Sequence, residues 1–442
     1  MSRIPNLARA ILALVVFIVL GVLVIVVFGS QVGGPLATPI AKVTPTPTGP
    51  TVPTPPPYPP PGSPTPPGPP ATPTSAPTPI PLCTFAAIPA SAEPGPALDQ
   101  YVFSEPRLVL THTAAIEIAG WLPDGERLLI TRNFPDTNRQ TVETFNTRTG
   151  EMRRYAERHS SSSKPAWLAA QQAVAFMDAT LAEGRAWWSL RLSYGETQPI
   201  ETLHTRLASL YLAVDPTGQR VSVLVRDRGE RPVIIDMAKK TTRSLPDVPL
   251  SMEESYRMVW SPRGKWLACY SIEGFYLIEV TTGQVCAVDL GTYQYGGKRW
   301  AMDAQWSPDE RYLIMLTTTG RLPVHFTDLT ILDTATGELR SVRPETDVTS
   351  GQPYVADMAW SPDSQAIVIR SAVERKDGVR YEGLYLVEVV TGQIRRMLPL
   401  MMFIGGDAGL SLAWSPNENQ LAVNWPTRTE GRLYLITVTT RQ

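Results

Sequence analysis

The chain is poor in the residues that usually announce chemistry. Its 442 residues hold only four histidines and three cysteines, and the formal charge is −1. A balance this even leaves no electrostatic footprint for nucleic acid, and no nucleic-acid partner is expected. His112, His159, His204 and His325 have no second histidine or cysteine at ligand spacing, and neither H-E-x-x-H nor C-x-x-C occurs. That pattern predicts no metal centre. Cys83, Cys269 and Cys286 are too few and too scattered for a disulfide framework. One strand is expected between Cys269 and Cys286, which holds that pair too far apart to bridge. The G-x-S-x-G elbow of serine hydrolases is absent. The stretch "GTYQYGGKRW" at 291–300 has glycines but lacks the Gly-Lys-Ser/Thr ending of a phosphate loop. No cofactor is expected.

What is present begins with residues 10–28, "AILALVVFIVLGVLVIVVF", which carry no charged side chain. At 1.5 Å per residue this run spans roughly 30 Å, the thickness of a bilayer core, and it exceeds the apolar region of a signal peptide. Arg3 and Arg9 precede it and Lys42 is the next basic residue, so the positive-inside rule predicts a signal-anchor with its N-terminus in the cytoplasm. The expected organisation is a short cytoplasmic N-terminus (1–9), a single-pass transmembrane anchor (10–29), a Pro/Thr-rich linker (30–97) and an extracytoplasmic domain (98–442). The linker, with "TPTPTGPTVPTPPPYPPPGSPTPPGPPATPTSAPTPIP", cannot bury apolar surface and favours extended polyproline II, on the order of 150 Å if fully stretched. It reads as a spacer.

The domain beyond the linker is written as a repeat. "WSPDERYLIML" at 306–316 returns as "WSPRGKWLACY" from Trp260, "WSPDSQAIVIR" from Trp360 and "WSPNENQLAVN" from Trp414. Weaker copies start at Trp121, Trp167 and Val214, so the seven anchors are spaced by 46, 47, 46, 46, 54 and 54 residues. Pro262, Pro308, Pro362 and Pro416 sit at the second position of a four-residue turn, where a fixed φ suits type I geometry, and Asp124, Asp309 and Asp363 supply turn hydrogen bonds. Apolar, β-branched runs follow, and a Thr-Gly pair closes a later hairpin in most copies. Four short antiparallel strands in about 45 residues describe one propeller blade. The tryptophans are expected to pack between blades. "RLVLTH" at 107–112 is a spare strand that would complete the last blade and close the ring. The expected fold is all-β, a monomeric seven-bladed β-propeller.

The "WSPDG…L" and "LY(L/V)xDxxTGE" signatures resemble the WD40-like blade repeats of TolB-type bacterial propellers over residues 107–442. The resemblance implies an extracytoplasmic propeller that binds protein partners, with the motif residues structural. TolB-type proteins carry an α/β domain before the propeller, where this chain has an anchor and a spacer.

Function is expected where the loops vary. The extra residues of the two 54-residue spacings, together with "GTYQYGGKRW", fall at the end of the ring opposite the Ser-Pro and Thr-Gly turns. This face presents Tyr293, Tyr295, Arg299, Trp300, His325, Met402 and Phe403 as partner-binding candidates, since aromatic and arginine side chains dominate binding hot spots. Met401–Ile404 is expected as an apolar loop, and "RHSSSSK" adds His159 and Lys164 to the same end. The leading reading is a non-enzymatic binding module for a protein or peptide. The alternative is a propeller hydrolase or lyase with a site at the channel mouth, for which His159, His325, Tyr293 and Asp407 are candidates without a motif to tie them together.

Overall fold

The computed structural model describes residues 80–85, 98–159, 163–182, 185–207, 209–226, 230–249, 256–292, 297–318, 328–343, 353–374, 380–398, 401–403, 411–417, 419–427 and 430–441. The apolar run at 10–28 lies outside them. Among the described residues no helix is long and apolar enough to cross a membrane.

Seven antiparallel blades follow one another along the chain, at 115–159, 166–207, 213–244, 257–287, 300–342, 353–403 and 412–440. Blade 5 shows the pattern: Trp300–Trp306, Tyr312–Thr318, Asp328–Asp333 and Leu339–Val342, in that order from inside to outside. Blade 7 is closed from the N-terminal side. Arg107–His112 pairs with residues 431–435 of Gly431–Thr440, and Tyr101–Phe103 continues along the same strand to Thr440. The closing edge is thus longer than the 107–112 segment legible in the sequence, because Gly431–Thr440 runs ten residues. Two departures from the four-strand pattern occur. A single pair, Leu207 with Val225, joins blades 2 and 3 into one sheet. Met401–Phe403, expected as a loop, pairs with Arg380–Glu388 and extends the outer edge of blade 6.

The core is divided among the blade interfaces rather than gathered at one centre. Seven clusters of buried side chains each combine residues of two neighbouring blades. The repeated tryptophans sit in these seams: Trp260, Trp306 and Trp360 are buried, and Trp121, Trp167 and Trp414 are partly so. Three of the indoles reach back to the preceding blade, Trp121 Nε1 to Ala413 O at 2.9 Å, Trp260 Nε1 to Ser222 Oγ at 2.5 Å and Trp360 Nε1 to Gln305 O at 3.2 Å, whereas Nε1 of Trp306 and Trp414 is buried without a partner among the described residues.

The turns explain the motif. In "SPDE" Glu310 N–H donates to Ser307 O at 2.9 Å, and Ser307 Oγ accepts the Tyr312 N–H at 2.8 Å while donating to Asp309 Oδ1 at 2.5 Å. The fourth turn position is left-handed. Gly264 holds it at φ 68°, and Glu310 and Ser364 take it at 69° and 62°. A glycine is favoured there because a Cβ crowds the following carbonyl. Asp309 and Asp363 accept N–H bonds from Arg311 and Gln365, as turn residues should.

One expectation is overturned. Cys83 and Cys286 form a disulfide across 203 residues of sequence. Leu82 bridges Ala287 in parallel, with Cys83 N–H to Ala287 O and Ala287 N–H to Pro81 O both at 2.9 Å. Residues 80–85 therefore form a further outer edge of blade 4. Reading cysteine count alone missed this, because the partner sits in the proline-rich segment, far from any repeat. Cys269 is free and buried, one strand away from Cys286.

A belt of charged side chains in the central bore

The innermost strand of each blade runs along the ring's axis, and one register position on it carries most of the charge. Arg257 pairs with Tyr270, Asp303 with Leu316, and Asp357 with Arg370. Each of these residues lies three positions before its blade's tryptophan. The same offset gives Lys164, Tyr211 and Ser411 in blades 2, 3 and 7. In blade 1 an irregularity between Ile118 and Gly120 shifts the count by one, and Glu117, opposite Thr131, holds the position. The belt reads Glu117, Lys164, Tyr211, Arg257, Asp303, Asp357, Ser411 around the ring. Convergence is evident from electrostatics. Lys164 of blade 2 is coupled to Asp357 of blade 6 and Asp303 of blade 5 as well as to Glu117. Non-adjacent blades can feel one another in this way only across the bore.

Five members of the belt are tied down. Arg257 spans blades 3 to 5: its guanidinium lies 4.7 Å over the Tyr211 ring, Nη2 is 3.3 Å from Tyr211 Oη, and Nη1 is 3.8 Å from Asp303 Oδ1. Asp303 Oδ1 also accepts the Ala304 N–H at 2.9 Å and the Tyr270 hydroxyl at 3.3 Å. Asp357 joins blade 6 to blade 7, accepting Met358 N–H at 2.9 Å and Leu412 N–H at 2.7 Å. Ser411 Oγ accepts the Ile118 N–H of blade 1 at 2.7 Å. Glu117 and Lys164 differ: among the described residues neither side chain has a hydrogen-bond or ion-pair partner. Lys164 is wetted from the bore yet enclosed by protein.

Burial shifts these groups. It raises the Glu117 carboxyl, with Lys164 and Arg158 opposing and Asp357 adding to the rise. It raises Asp357 too, which is 4% exposed, against the pull of Lys164 and the two backbone donors. For Lys164 burial alone would lower the ammonium; Asp357, Asp303 and Glu117 outweigh it and the net shift is upward. Tyr270 is pushed well above the ordinary phenol value by burial and by Asp303.

The residues expected to form the site fall elsewhere. Arg299 donates to Ser341 Oγ at 2.5 Å, and Trp300 opens the innermost strand of blade 5 with its Nε1 buried and unpaired among the described residues. Both sit at the loop-rich end. Met402 and Phe403 lie on the extra outer strand of blade 6. Tyr293, Tyr295, His325 and Asp407 lie outside the described residues. His159 is 53% exposed and faces Asp178 at 3.5 Å, away from the bore. Lys164, expected in a loop, belongs to the belt. Among the described residues no group of His, Cys, Asp or Glu is arranged to hold a metal. A separate concavity of about 500 Å³ lies at the turn end of the blade 4–5 seam, lined by Phe85, Trp266, Arg311 and the disulfide.

Fold and belt together define a seven-bladed β-propeller with a mixed-charge bore. No protein-family model matches the chain and no curated relative does, so the TolB-type repeat resemblance stands without that support. Among solved structures, an oligogalacturonate lyase from Vibrio parahaemolyticus aligns with a TM-score of 0.52 at 10% identity, over 76% of this chain and 97% of that one. A puromycin hydrolase aligns with a TM-score of 0.44 at 14% identity over 68% of this chain; the chain spans 48% of that hydrolase's length. At such identities the likeness is one of fold.

Proposed function

We propose that this protein is a membrane-tethered, extracytoplasmic binding propeller that receives its ligand at the loop-rich end and holds it in the bore. The observation that carries this reading is the belt. Three carboxylates, a lysine and an arginine share one register position, and among the described residues the Glu117 and Lys164 side chains have no hydrogen-bond or ion-pair partner, which leaves both available to a ligand. The tether is supported by the apolar run with its flanking arginines and by the proline-rich spacer. Location outside the cytoplasm is supported by the Cys83–Cys286 disulfide, which persists in oxidising compartments. Arg299 and Trp300 lie at the loop-rich end, and a protein or peptide partner, as in TolB-type propellers, suits such side chains.

The test is affinity capture with the full chain in native membranes, beside two folded controls. One carries Lys164→Met and Glu117→Gln in the bore, and the other carries Arg299→Glu and Trp300→Ala at the rim. A ligand retained by the native chain and lost from both controls supports the reading. Equal retention by all three proteins sinks it. A second reading, a propeller hydrolase or lyase, is favoured by the raised Glu117 carboxyl, which could serve as a general acid in the enclosed bore. It predicts that the captured ligand is turned over by the native chain and left intact by Glu117→Gln.

A further inference from the structure

The concavity at the turn end of the blade 4–5 seam is built partly from chain that the repeats do not supply. Residues 80–85 are stapled to blade 4 through Cys83–Cys286, and Phe85 crosses the seam to pack beside Gly337 of blade 5. With Trp266 they wall a space of about 500 Å³. Small-molecule sites occupy about 300–1,000 Å³. Glu310 marks the space as more than a packing gap. It holds the fourth position of its Ser-Pro turn at φ 69°, where blades 1, 3 and 4 use Gly125, Gly218 and Gly264 at 73°, 67° and 68°. A residue with a Cβ is strained there, so a side chain kept in place calls for a use. In blade 6 the use is structural, since Ser364 Oγ accepts the Asp309 N–H at 3.1 Å. The Glu310 side chain, 11% exposed, has only Arg263 Nε at 3.8 Å from Oε2, and Oε1 is buried without a hydrogen-bond partner among the described residues. Two other lining residues carry buried donors in the same condition, Trp306 Nε1 and Arg311 Nε.

The charges of the lining narrow the ligand. Arg263 faces Glu310, Lys265 Nζ lies 3.7 Å from Glu279, and Arg311 Nη2 lies 3.2 Å from Asp333, so each cation already has a carboxylate. An anion would meet Asp309 and Glu310; a cation would meet Arg263, Lys265 and Arg311. A neutral ligand meets neither repulsion, but it has to give a hydrogen bond to Glu310 and take one from the donors. A hydroxyl does both at one atom. The terminal torsion of Glu310 has no sharp preference, so either carboxylate oxygen can turn to the space. Phe85 and Trp266 ask in addition for an apolar face. Hydroxyls round a ring with C–H faces describe a sugar. We propose that this pocket binds a neutral hexose unit, free or at the end of a glycan, with Glu310 accepting from its hydroxyls and the ring lying against Phe85 and Trp266. A proline-rich segment, another occupant of aromatic-lined grooves, has no proline N–H to give Glu310. The pocket lies apart from the bore and does not depend on the reading given for it.

The experiment is titration calorimetry on the full chain, in a detergent without a sugar head group. Glucose, galactose and N-acetylglucosamine are the free sugars, and cellobiose, lactose and chitobiose carry the same units at the end of a longer glycan. Adenine, flat and neutral, and the peptide PPPYPPP of residues 55–61 are the competing classes. At least one sugar is expected to bind, and the tighter member of its pair identifies the source. Glu310→Gly should weaken that binding by about 10- to 100-fold while melting no lower than the native chain, because glycine suits the left-handed turn. Phe85→Ala, outside the repeats, should weaken it by about 3- to 10-fold and carries the test if Glu310→Gly melts lower. Failure of all six sugars to bind would overturn the proposal. So would sugar binding indifferent to both substitutions, or tighter binding of adenine or of the peptide.

Discussion

Two rings of residues lie on or just before the seven innermost strands, three positions apart in six blades and four in blade 1, and they follow opposite rules. The ring at the turn end is nearly uniform: six tryptophans and Val214. The ring upstream holds Glu117, Lys164, Tyr211, Arg257, Asp303, Asp357 and Ser411. The first ring solves the same packing problem in each seam, with a large flat indole in six of them, and in three the indole N–H reaches the preceding blade. The second faces a single enclosed space from seven directions, so its members complement one another rather than repeat. Uniformity round the ring marks packing; heterogeneity at a fixed register is the observation on which the proposed site rests.

The sharpest way to break this contrast is to remove charge where it serves packing. Arg370 is 1% exposed, forms a salt bridge with Glu382 on its own sheet, and donates to Asn424 O of blade 7 at 2.7 Å. Arg370→Met leaves a buried carboxylate without that partner and should cost about 4 kcal/mol in urea unfolding. A loss under about 1 kcal/mol would mean that buried charge in the blades is no more structural than charge in the bore. Trp360→Ala comes next. The indole lies between blades 5 and 6, its ring centroid 6.3 Å from that of Tyr312, and truncation opens a cavity in the seam. About 3 kcal/mol should be lost, while the fraction still folded keeps its ligand affinity.

These positions also show what the sequence could reveal. The tryptophans, the Ser-Pro turns and the Thr-Gly hairpins were legible because each is a local solution with a fixed residue preference, repeated at constant spacing. Arg107–His112 was legible because a strand with no partner in its own repeat has to find one. The belt left a fainter trace. Its members sit at a constant offset from the anchors, but they share no residue type, and Glu117 is displaced by the irregularity before Gly120. Only a known register, with the knowledge that this strand faces the bore, turns the offset into a site. Cys83 left no trace, because its partner strand is set by a tertiary contact from outside the repeats.

The staple at Cys83 gives a smaller effect and a clean control. Apart from the disulfide, residues 80–85 are held by two backbone hydrogen bonds to blade 4 and by Phe85, which packs beside Gly337 of blade 5. Cys286→Ser and Cys83→Ser should each lower stability by about 2 kcal/mol, and the double variant should lose no more than either, since both remove the same bond. Melting with and without reductant checks this: the native chain should fall to the variants' value and the variants should not move. Affinity for a ligand in the bore should be unchanged, because blade 4's outer edge lies across the whole sheet from it.

The smallest effect is the one that separates the two rings most finely. Lys164→Met should change stability by less than about 1 kcal/mol at neutral pH, because the lysine is wetted and its attraction to the carboxylates is screened. The pH dependence should nevertheless carry its signature. The folded protein holds the Lys164 ammonium above its ordinary value of 10.5, with Asp357, Asp303 and Glu117 overcoming burial and the repulsion of Arg257. A base whose pKa is raised by folding gives stability that is fully present below its unfolded value and is lost as pH climbs through the folded one. The native chain should therefore lose its margin over Lys164→Met above pH 10.5 and keep it at pH 7 to 9, whereas Trp360→Ala should run parallel to the native chain throughout. Urea unfolding of the three proteins at several pH values reads this directly. A Lys164→Met curve parallel to the native one across that window would mean that the lysine does not feel the acidic arc, and the belt would lose its claim to be an electrostatic unit.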